Sequence, residues 1–322
     1  MILGIETTAH TFGVGIVNKW KILSNVRDMY KPKKGGIIPM EATKHHKDVS
    51  EFIYEEALDK AEISEKDIKA IAVSNAPGLA PCLYAGYEFA KRKAYELGVP
   101  LIPVNHCIAH LEIGRSKGAK DPVLLYASGA NTQVIAFASG KYRVFGETLD
   151  TGIGNFLDKF ARHLGFPFPG GPEIEKLAHN GEYVELPYAI KGMDVSFSGM
   201  ETKLKQLYAK GYKKEDLCFS VQETAFAMLV EATERALAHT GKKELVLGGG
   251  VGCNKRLQEM CRIMCEERGA KFFCPENSLL VDNGAMIAYT GELMFKKGIK
   301  IKPFDLEVKP RERTDDVEVN WR

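Results

Sequence analysis

Two histidines four residues apart offer the most specific chemistry in this sequence: His106 and His110 lie in the segment NHCIAHLEIG. On a helix this spacing places both imidazoles on one face, about one turn apart, as two ligands of a single metal ion require. The alternative is a pair of histidines that cap or pack the helix. A zinc peptidase would need a glutamate as general base directly after the first histidine, and Cys107 stands at that position. A peptidase of that class is therefore excluded.

A third metal ligand is expected from an internal repeat. His106 follows the strand GVPLIPV, and Asp282, in SLLVDNGAM, follows the strand GAKFFCP of the second half. The repeat therefore predicts that one domain supplies two imidazoles and the other a carboxylate, leaving open positions for substrate. Two histidines with oxygen ligands suit iron or zinc equally well. As a simple helix cap, Asp282 would have a structural role only.

Two glycine-rich turns lead into helices and could approach a ligand closely. One is LGGGVGCN; the other is FPFPGGPEIEKLA, where Gly171 precedes a helix whose first turn carries Glu175. Acidic residues in a first turn also favour the helix dipole without any ligand. Neither turn is a P-loop or a GxGxxG dinucleotide motif. Asp158, in GIGNFLDKFARHLG, either faces a ligand from its helix or is exposed beside Lys159.

Local clusters of basic residues are the candidate contacts for nucleic acid, because the formal net charge of +2 gives no bulk electrostatic attraction. The sequence has three candidate basic clusters, of which AKRKAY lies furthest along the chain. Such clusters are more often simply solvated. The segments YKPKKGG and TKHHK supply the candidates Lys31, Lys33, Lys34, Lys44 and Lys47.

The elements that must position these residues follow one plan used twice. Strands MILGIE, FGVGIVN and KILSNVRDM open the first half, and VLLYAS, QVIAFAS and KYRVFGETL open the second. Each half then continues as strand, helix and strand, which predicts an α/β fold with a mostly parallel sheet in each domain. The predicted domains are residues 1–118 and 119–322. The tail from about residue 297 is expected to pack back on the first domain.

Composition predicts a cytoplasmic, soluble protein. The chain has 322 residues, of which 45% are hydrophobic and 27% charged, enough for two domains with real cores. Seven cysteines without a CxxC pair indicate reduced thiols. The sequence contains no apolar run of about 20 residues and no cationic leader, so neither a membrane span nor a signal peptide is expected.

Six segments together resemble one family: NHCIAHLEIG, YASGANTQ, GGPEIEKLA, SFSG, GGVGCNKRLQEM and DNGAMIAYTG. In this order they are similar to the TsaD-type tRNA adenosine threonylcarbamoyltransferases, in particular the archaeal and eukaryotic branch that acts within the KEOPS complex. The resemblance extends from Gly4 to Gly291. It implies a duplicated actin/Hsp70/sugar-kinase-like (ASKHA) fold, in which two ribonuclease-H-like domains flank a nucleotide cleft.

The resemblance also implies roles for particular residues. His106, His110 and Asp282 would bind the metal together with Tyr126. Asp158 and Glu175 would hold ribose hydroxyls, and the backbone near Gly250 would approach phosphate. The residues implied in substrate and nucleotide binding are Tyr126, Ala127, Ser128, Gly129, Ala130, Asp158, Gly171, Glu175 and Asn254.

Two positions depart from the family pattern. Ala130 replaces the second glycine of the usual SGGNT, and could tighten that turn or change its dihedral angles. The first hairpin has His10 and Thr11 where bacterial relatives tend to carry Asp-Glu. The second departure favours the KEOPS branch and leaves the general base unidentified.

The implied activity is transfer of threonylcarbamoyl from threonylcarbamoyl-adenylate to N6 of adenine 37, in tRNAs that read codons beginning with A. One divalent metal per subunit is expected, with iron favoured over zinc, and an adenine nucleotide enters as part of the donor. The implied partners are tRNA and KEOPS subunits, including a separate small protein kinase/ATPase and a small dimerising subunit. The alternatives are an ATP-dependent small-molecule kinase and a nucleotide-sensing module of the same fold.

Overall fold

The computed structural model describes residues 1–32 and 35–322. Its strands are β1 (Ile2–Glu6), β2 (Thr11–Asn18), β3 (Lys21–Met29), β4 (Ala70–Ala76), β5 (Leu101–Asn105), β6 (Val123–Ala127), β7 (Thr132–Ala138), β8 (Lys141–Glu147), β9 (Ile190–Lys191), β10 (Asp194–Val195), β11 (Glu244–Gly248) and β12 (Lys271–Phe273). Its α-helices are α1 (Pro39–Ala61), α2 (Ala80–Leu97), α3 (His106–Arg115), α4 (Ile153–His163), α5 (Gly171–Ala178), α6 (Ser198–Ala209), α7 (Lys214–Thr240), α8 (Lys255–Glu267), α9 (Asn277–Leu280) and α10 (Gly284–Lys296). Short 3-10 helices lie at Glu65–Asp67, Gly250–Cys253 and Thr314–Asp316.

The chain divides into two units. Unit 1 consists of Met1–Ser116, Ser139–Tyr142 and Asp282–Arg322, and unit 2 consists of Lys117–Ala138 and Arg143–Val281. The sequence predicted a boundary at residues 118 and 119 and a return of the tail from about residue 297. In the structure the carboxyl-terminal segment of unit 1 already begins at Asp282, so that α10 belongs to unit 1.

Unit 1 contains a five-stranded sheet in the order β3-β2-β1-β4-β5. The apolar segments at the amino terminus form the antiparallel strands β1 to β3, and β4 and β5 run parallel to β1. Side chains such as Leu3, Ile5 and Val73 join Leu83 of α2 and Ile53 of α1 in a buried core. Removal of this apolar surface from water is the main stabilisation of the unit.

Helix α10 lies directly on the sheet of unit 1, because glycines leave room for it. Gly4 and Gly15 are partners across β1 and β2. A Cβ atom on Gly4 would lie 2.2 Å from the Ala288 nitrogen, and one on Gly15 would lie 2.2 Å from the Ala285 nitrogen. A Cβ on Gly284 would in turn lie 2.3 Å from the Gly15 nitrogen. This close backbone packing explains why α10, and Asp282 just before it, belong to unit 1.

Unit 2 repeats the same sheet. Its strand order is β12-β11-β6-β7-β8, which read from β8 matches the order of the first sheet. Strands β6 and β7 are antiparallel, whereas β11 and β12 run parallel to β6. Helices α4 to α7 and the β9–β10 ribbon are inserted between β8 and β11. The predicted repetition of strand and helix order is therefore present.

Two further features concern cysteines and hydropathy. All seven cysteines lie in described residues, and none forms a disulfide bond. Among the helices of residues 1–32 and 35–322, none is both long and apolar enough to cross a membrane.

Candidate metal centre and nucleotide-binding turns

The two histidines are positioned by the junction between β5 and α3. Strand β5 ends at Asn105, whose side-chain oxygen accepts hydrogen bonds from the backbone nitrogens of Cys107 at 3.1 Å and Ile108 at 3.4 Å. This cap satisfies amide groups that would otherwise lack partners at the helix start. His106 is therefore the first residue of α3, and His110 follows one turn later. The predicted helical spacing of the pair is present.

His106, His110 and Asp282 converge in unit 1. Asp282 Oδ1 lies 3.3 Å from Nε2 of His106 and 3.4 Å from Nε2 of His110. The two imidazoles are nearly perpendicular, with ring centroids 4.8 Å apart and an interplanar angle of 83°. One ligand atom from each of the three residues lies within 4.8 Å of the others. This convergence of two nitrogens and one carboxylate oxygen fits a divalent metal ion with further positions open to substrate.

The origin of Asp282 differs from the sequence prediction. We expected the carboxylate to come from the other domain, but all three residues belong to unit 1. Asp282 is also not the cap of α10, because Asn283 holds that position and accepts a hydrogen bond from the Met286 nitrogen at 2.9 Å. The capping explanation therefore applies to Asn283, and the Asp282 carboxylate faces the imidazoles instead.

A buried glutamate that the sequence analysis missed orients His106. Glu6 is completely buried at the end of β1, and its Oε2 lies 2.9 Å from Nδ1 of His106. Its other oxygen accepts hydrogen bonds from the Thr8 backbone nitrogen at 2.7 Å and the Thr8 hydroxyl at 2.6 Å. When Nδ1 is protonated and donates a hydrogen bond to Glu6, the lone pair of Nε2 is available to bind a metal. The signal was a carboxylate closing the apolar strand MILGIE.

The pKa shifts of Asp282 and His110 suit metal binding. Burial would raise the pKa of the Asp282 carboxyl, but the neighbouring imidazoles of His106 and His110 outweigh it and hold that pKa well below its usual value. Burial lowers the pKa of the His110 imidazole, against the opposing effect of Asp282. A neutral imidazole and an ionised carboxylate are the forms that ligate divalent ions.

Tyr126, the fourth metal ligand implied by the resemblance, lies in unit 2. It is buried in β6, where Gln133 of β7 and Gly248 of β11 are its neighbours in the register. Its role as a ligand stays a prediction.

The turn after β6 contains most of the residues implied in nucleotide binding. The backbone nitrogen and hydroxyl of Ser128 donate hydrogen bonds to the Asn131 carbonyl at 3.0 and 2.9 Å. Gly129 and Ala130 are exposed at its tip, whereas Ala127 is buried in β6. Ala130 is not among the described non-glycine residues with positive φ. The alanine that departs from the family pattern therefore fits the turn without backbone strain.

Asp158 and Glu175 connect the helices beside this turn. Asp158, half-buried on α4, accepts a hydrogen bond from the Gly170 nitrogen at 2.7 Å. Glu175 of α5 accepts one from the Lys255 nitrogen at 2.8 Å, at the start of α8. Of the two alternatives for Asp158, simple exposure beside Lys159 does not apply. Both carboxylates hold the amino-terminal ends of neighbouring helices in unit 2.

Asn254 completes this connection. Its side-chain oxygen caps α8 by accepting hydrogen bonds from the nitrogens of Arg256 at 2.9 Å and Leu257 at 3.2 Å. Its amide nitrogen donates to Gln222 Oε1 at 2.8 Å. Gly171 begins α5, and a Cβ placed there would meet no atom within 4 Å. The structure thus joins Asp158, Glu175 and Asn254 through the starts of α5 and α8.

The predicted basic contacts fall into three groups. Lys31 is exposed, and Lys44 and Lys47 are exposed three residues apart on α1. Lys33 and Lys34 lie outside the described residues. The AKRKAY cluster is largely neutralised, since its basic side chains form ion pairs with Glu51, Glu88 and Glu96. Of these groups, Lys31, Lys44 and Lys47 remain as candidates for contact with RNA phosphates.

Comparison with known proteins adds the following findings. Residues 21–289 match the family described as TsaD, tRNA N6-adenosine threonylcarbamoyltransferase. The tRNA N6-adenosine threonylcarbamoyltransferase of Thermococcus kodakarensis is 56% identical over 321 residues, which cover 99% of each chain. A probable bifunctional tRNA threonylcarbamoyladenosine biosynthesis protein of Methanosarcina mazei is 55% identical, over 99% of this chain and 59% of that protein.

A solved structure supports the fold. The HypF protein of T. kodakarensis has a TM-score of 0.65 and 16% sequence identity, over 92% of this chain and 48% of that chain. Together with the two equivalent sheets, this likeness confirms the predicted duplicated α/β fold of the actin/Hsp70/sugar-kinase class. At this identity the likeness concerns the fold alone.

Proposed function

Because the chain belongs to the TsaD family of tRNA N6-adenosine threonylcarbamoyltransferases, we propose that it acts on adenine 37 of tRNAs that read codons beginning with A. The donor is threonylcarbamoyl-adenylate, the acceptor atom is N6, and the reaction depends on a divalent metal. The observation that carries the metal dependence is the convergence of His106, His110 and Asp282 on one point in unit 1.

The exocyclic amine of adenine is a poor nucleophile, because its lone pair is delocalised into the ring. The protein must therefore hold the donor carbonyl and the amine in contact and stabilise the charge that develops on the leaving adenylate. A metal held by His106 Nε2, His110 Nε2 and an Asp282 oxygen would supply Lewis-acid stabilisation and orientation of donor oxygens. Iron is the favoured metal and zinc the alternative, with Tyr126 as a proposed additional ligand.

Residues around the proposed ligands orient them before a metal binds. Glu6 accepts a hydrogen bond from Nδ1–H of His106, and two hydrogen bonds from Thr8 keep the Glu6 carboxylate in place. The tautomer of His106 is therefore fixed before any ligand arrives. Preorganisation of this kind lowers the cost of reaching the reactive arrangement.

In unit 2, the turn at residues 127–130 and the start of α8 are proposed to bind the adenylate part of the donor. The exposed backbone of Gly129 and Ala130 is suited to approach a phosphate. Asp158 and Glu175 accept hydrogen bonds from the backbone at the starts of α5 and α8, and Asn254 caps α8. The proposed role of the two carboxylates is to bind ribose hydroxyls, with Gly171 beside them.

The acceptor base lies in an anticodon loop, where it can be turned out without opening a duplex. We propose that Lys31, Lys44 and Lys47 contact the tRNA phosphates, since all three are exposed in unit 1. KEOPS subunits are the proposed partners, including a small dimerising subunit and a small protein kinase/ATPase. The cytoplasm is the proposed location.

The test is reconstitution of the transfer reaction. The purified chain is incubated with KEOPS partners, threonylcarbamoyl-adenylate and unmodified tRNA, and the nucleosides are analysed by mass after digestion. Threonylcarbamoyladenosine should form with the wild-type chain and fall to background with His110→Ala. His239→Ala serves as the matched control, because this histidine is exposed near the end of α7. Absence of product with metal bound and partners present would contradict the proposed function.

A further inference from the structure

The carboxyl-terminal segment, residues 305–322, follows the edge of unit 1 beside β4 and the turn after it. The Asn75 amide donates a hydrogen bond to the Glu307 carbonyl at 3.0 Å, and the Lys309 nitrogen donates one to the Asn75 carbonyl at 2.8 Å. The Gly78 nitrogen donates to the Pro310 carbonyl at 3.1 Å. The segment is therefore fastened to the sheet before it reaches α3.

The same segment then contacts α3 at its start. The Asn105 amide, whose oxygen caps the helix, donates a hydrogen bond to Glu312 Oε2 at 3.2 Å. Thr314 forms a side-chain hydrogen bond with Cys107, and both residues are buried. These two contacts lie on either side of His106. They fix the point at which the metal-ligand helix begins.

A third contact lies beyond His110. Trp321 is 5% exposed, and its indole nitrogen donates a hydrogen bond to Glu112 Oε1 at 3.2 Å. Glu112 is completely buried, and its other oxygen lies 2.6 Å from Nη1 of Arg115. The hydroxyl of Tyr142, which belongs to unit 1, also donates to Glu112 Oε1. The buried carboxylate thus accepts hydrogen bonds from three different side chains.

A carboxylate without solvent needs such partners, because burial of an unpaired charge is strongly unfavourable. Trp321 supplies one of them from the carboxyl-terminal segment, so the position of Glu112 depends on that segment. Glu112 and His110 are two residues apart on a single rigid helix. A shift of the α3 backbone at Glu112 would therefore also shift the imidazole of His110 relative to Asp282.

We propose that the carboxyl-terminal segment positions the metal-ligand helix α3, and that Trp321 is its principal positioning residue through the hydrogen bond to Glu112. The inference rests on the metal site of the proposed function. Residues outside the ligand set that orient ligands in this way typically change metal affinity by about 10- to 100-fold when they are replaced. Trp321 does not touch the ligands and acts only through α3.

The test compares Co²⁺ binding, followed by its visible absorption, in the full-length chain and its variants. Trp321→Phe keeps a six-membered aromatic ring but removes the five-membered ring with its N–H donor, and we expect it to raise the dissociation constant of Co²⁺ several-fold. Trp321→Ala should raise it by about tenfold or more. Hydrogen exchange of the metal-free chain should show faster exchange at the backbone amides of residues 107–115 in both variants. If Trp321→Ala does not fold, Trp321→Phe decides the question.

The matched control is Trp20→Phe, since the chain has two tryptophans and Trp20 is 41% exposed in the turn between β2 and β3. It should leave the affinity and the exchange of α3 unchanged. Variants of Trp321 that melt at a lower temperature but keep wild-type Co²⁺ affinity and α3 exchange would overturn the inference. Loss of Co²⁺ binding in His110→Ala, with binding kept in both Trp321 variants, overturns only the positioning role. Failure of the wild-type chain to bind Co²⁺ would overturn the metal site as well.

Discussion

Glu6 Oε2 lies 2.9 Å from Nδ1 of His106, on the edge of the imidazole opposite to the one that faces Asp282. The ring is therefore held between two carboxylates: Glu6, which can accept a hydrogen bond from Nδ1, and Asp282, which would share a metal ion with Nε2. Through this contact with His106, Glu6 belongs to the candidate metal centre. It leads to the first prediction.

Replacement Glu6→Gln should weaken metal binding by about 10- to 100-fold while the fold persists. The amide is a poorer acceptor for Nδ1–H. Its nitrogen would also face either His106 or the two donors of Thr8, which now share one carboxylate oxygen. Metal affinity can be measured by Co²⁺ titration. Glu88→Gln, an exposed substitution on α2, is the control, and equal affinity in both variants would disprove the role of Glu6.

Replacement of a proposed metal ligand should cause loss of the metal. His106→Ala and Asp282→Asn should each lower the bound metal strongly and abolish transfer, because each removes one of the three converging donors. Elemental analysis measures the metal, and circular dichroism checks that the fold is retained. Asp305→Asn, an exposed change, should keep wild-type occupancy. Full occupancy in both ligand variants would show that the ion binds elsewhere.

Close packing of α10 predicts a large effect of one methyl group. Gly4→Ala or Gly15→Ala would place a Cβ 2.2 Å from backbone nitrogens of α10, so the helix must shift. Overpacking of this kind typically costs about 1–3 kcal/mol of unfolding free energy. Since Asp282 directly precedes α10, metal affinity should fall together with stability.

Denaturant unfolding and Co²⁺ titration measure the two effects of this change. Gly36→Ala is the control, because a Cβ there would meet no atom within 4 Å and the φ angle of Gly36 is not positive. A Gly4→Ala variant as stable as the control would show that α10 does not rest on the glycine pair.

The buried imidazole of His46 predicts a loss of stability in mild acid. Burial lowers its pKa from 6.5 to about 4, against the effect of its hydrogen bond to the Ala9 carbonyl at 3.1 Å. As the pH falls below about 6.5, His46 is therefore protonated in the unfolded chain but stays neutral in the folded chain. Stability should be full above this pH and decline as the pH falls towards 4, by up to about 3 kcal/mol.

The measurement is the free energy of unfolding at several pH values between 7 and 5. His46→Phe should reduce the slope relative to the wild-type chain, whereas substitution of the exposed His239 serves as the comparison. An identical slope in His46→Phe would assign the acid sensitivity to other groups.

Ala130 predicts a small effect on the turn at residues 127–130, the proposed phosphate-binding turn. The residue is exposed and its φ is not positive, so Ala130→Gly relieves no strain. The variant should lose up to about 1 kcal/mol of stability, because glycine increases the entropy of the unfolded chain. The KM for threonylcarbamoyl-adenylate measures any effect on the donor. A stabilised variant with a several-fold lower KM would show that the methyl group obstructs the phosphate.

Much of the fold could be predicted from local pattern. The strand runs and the helix spacing of His106 and His110 are properties of short segments, which the sequence displays directly. The repeated strand order also placed Asp282 near the ligands, although for the wrong reason, since the residue belongs to unit 1. The placement of α10 depends on Gly4 and Gly15, whose meaning is visible only when the helix lies on them.

The remaining parts of the site depend on contacts between distant residues. Glu6 could be noticed as a carboxylate at the end of an apolar strand, but its partner His106 is 100 positions away. Trp321 and Glu112 are 209 positions apart, and although Glu112 lies in the segment NHCIAHLEIG, Trp321 lies in none of the recognised motifs. Periodicity describes the faces of one element and contains no information on such pairings.

The placement of Asp282 and the carboxyl-terminal segment in unit 1 has a consequence for synthesis of the protein on the ribosome. His106 and His110 leave the ribosome well before Asp282, which completes the proposed donor set, and before Trp321, which lies behind α3. Domains usually begin to fold from the amino terminus as the chain is made. The glycine pair of the first sheet is covered only after α10 (Gly284–Lys296) has been made, so the nascent chain can assemble its candidate metal centre only once that helix has emerged.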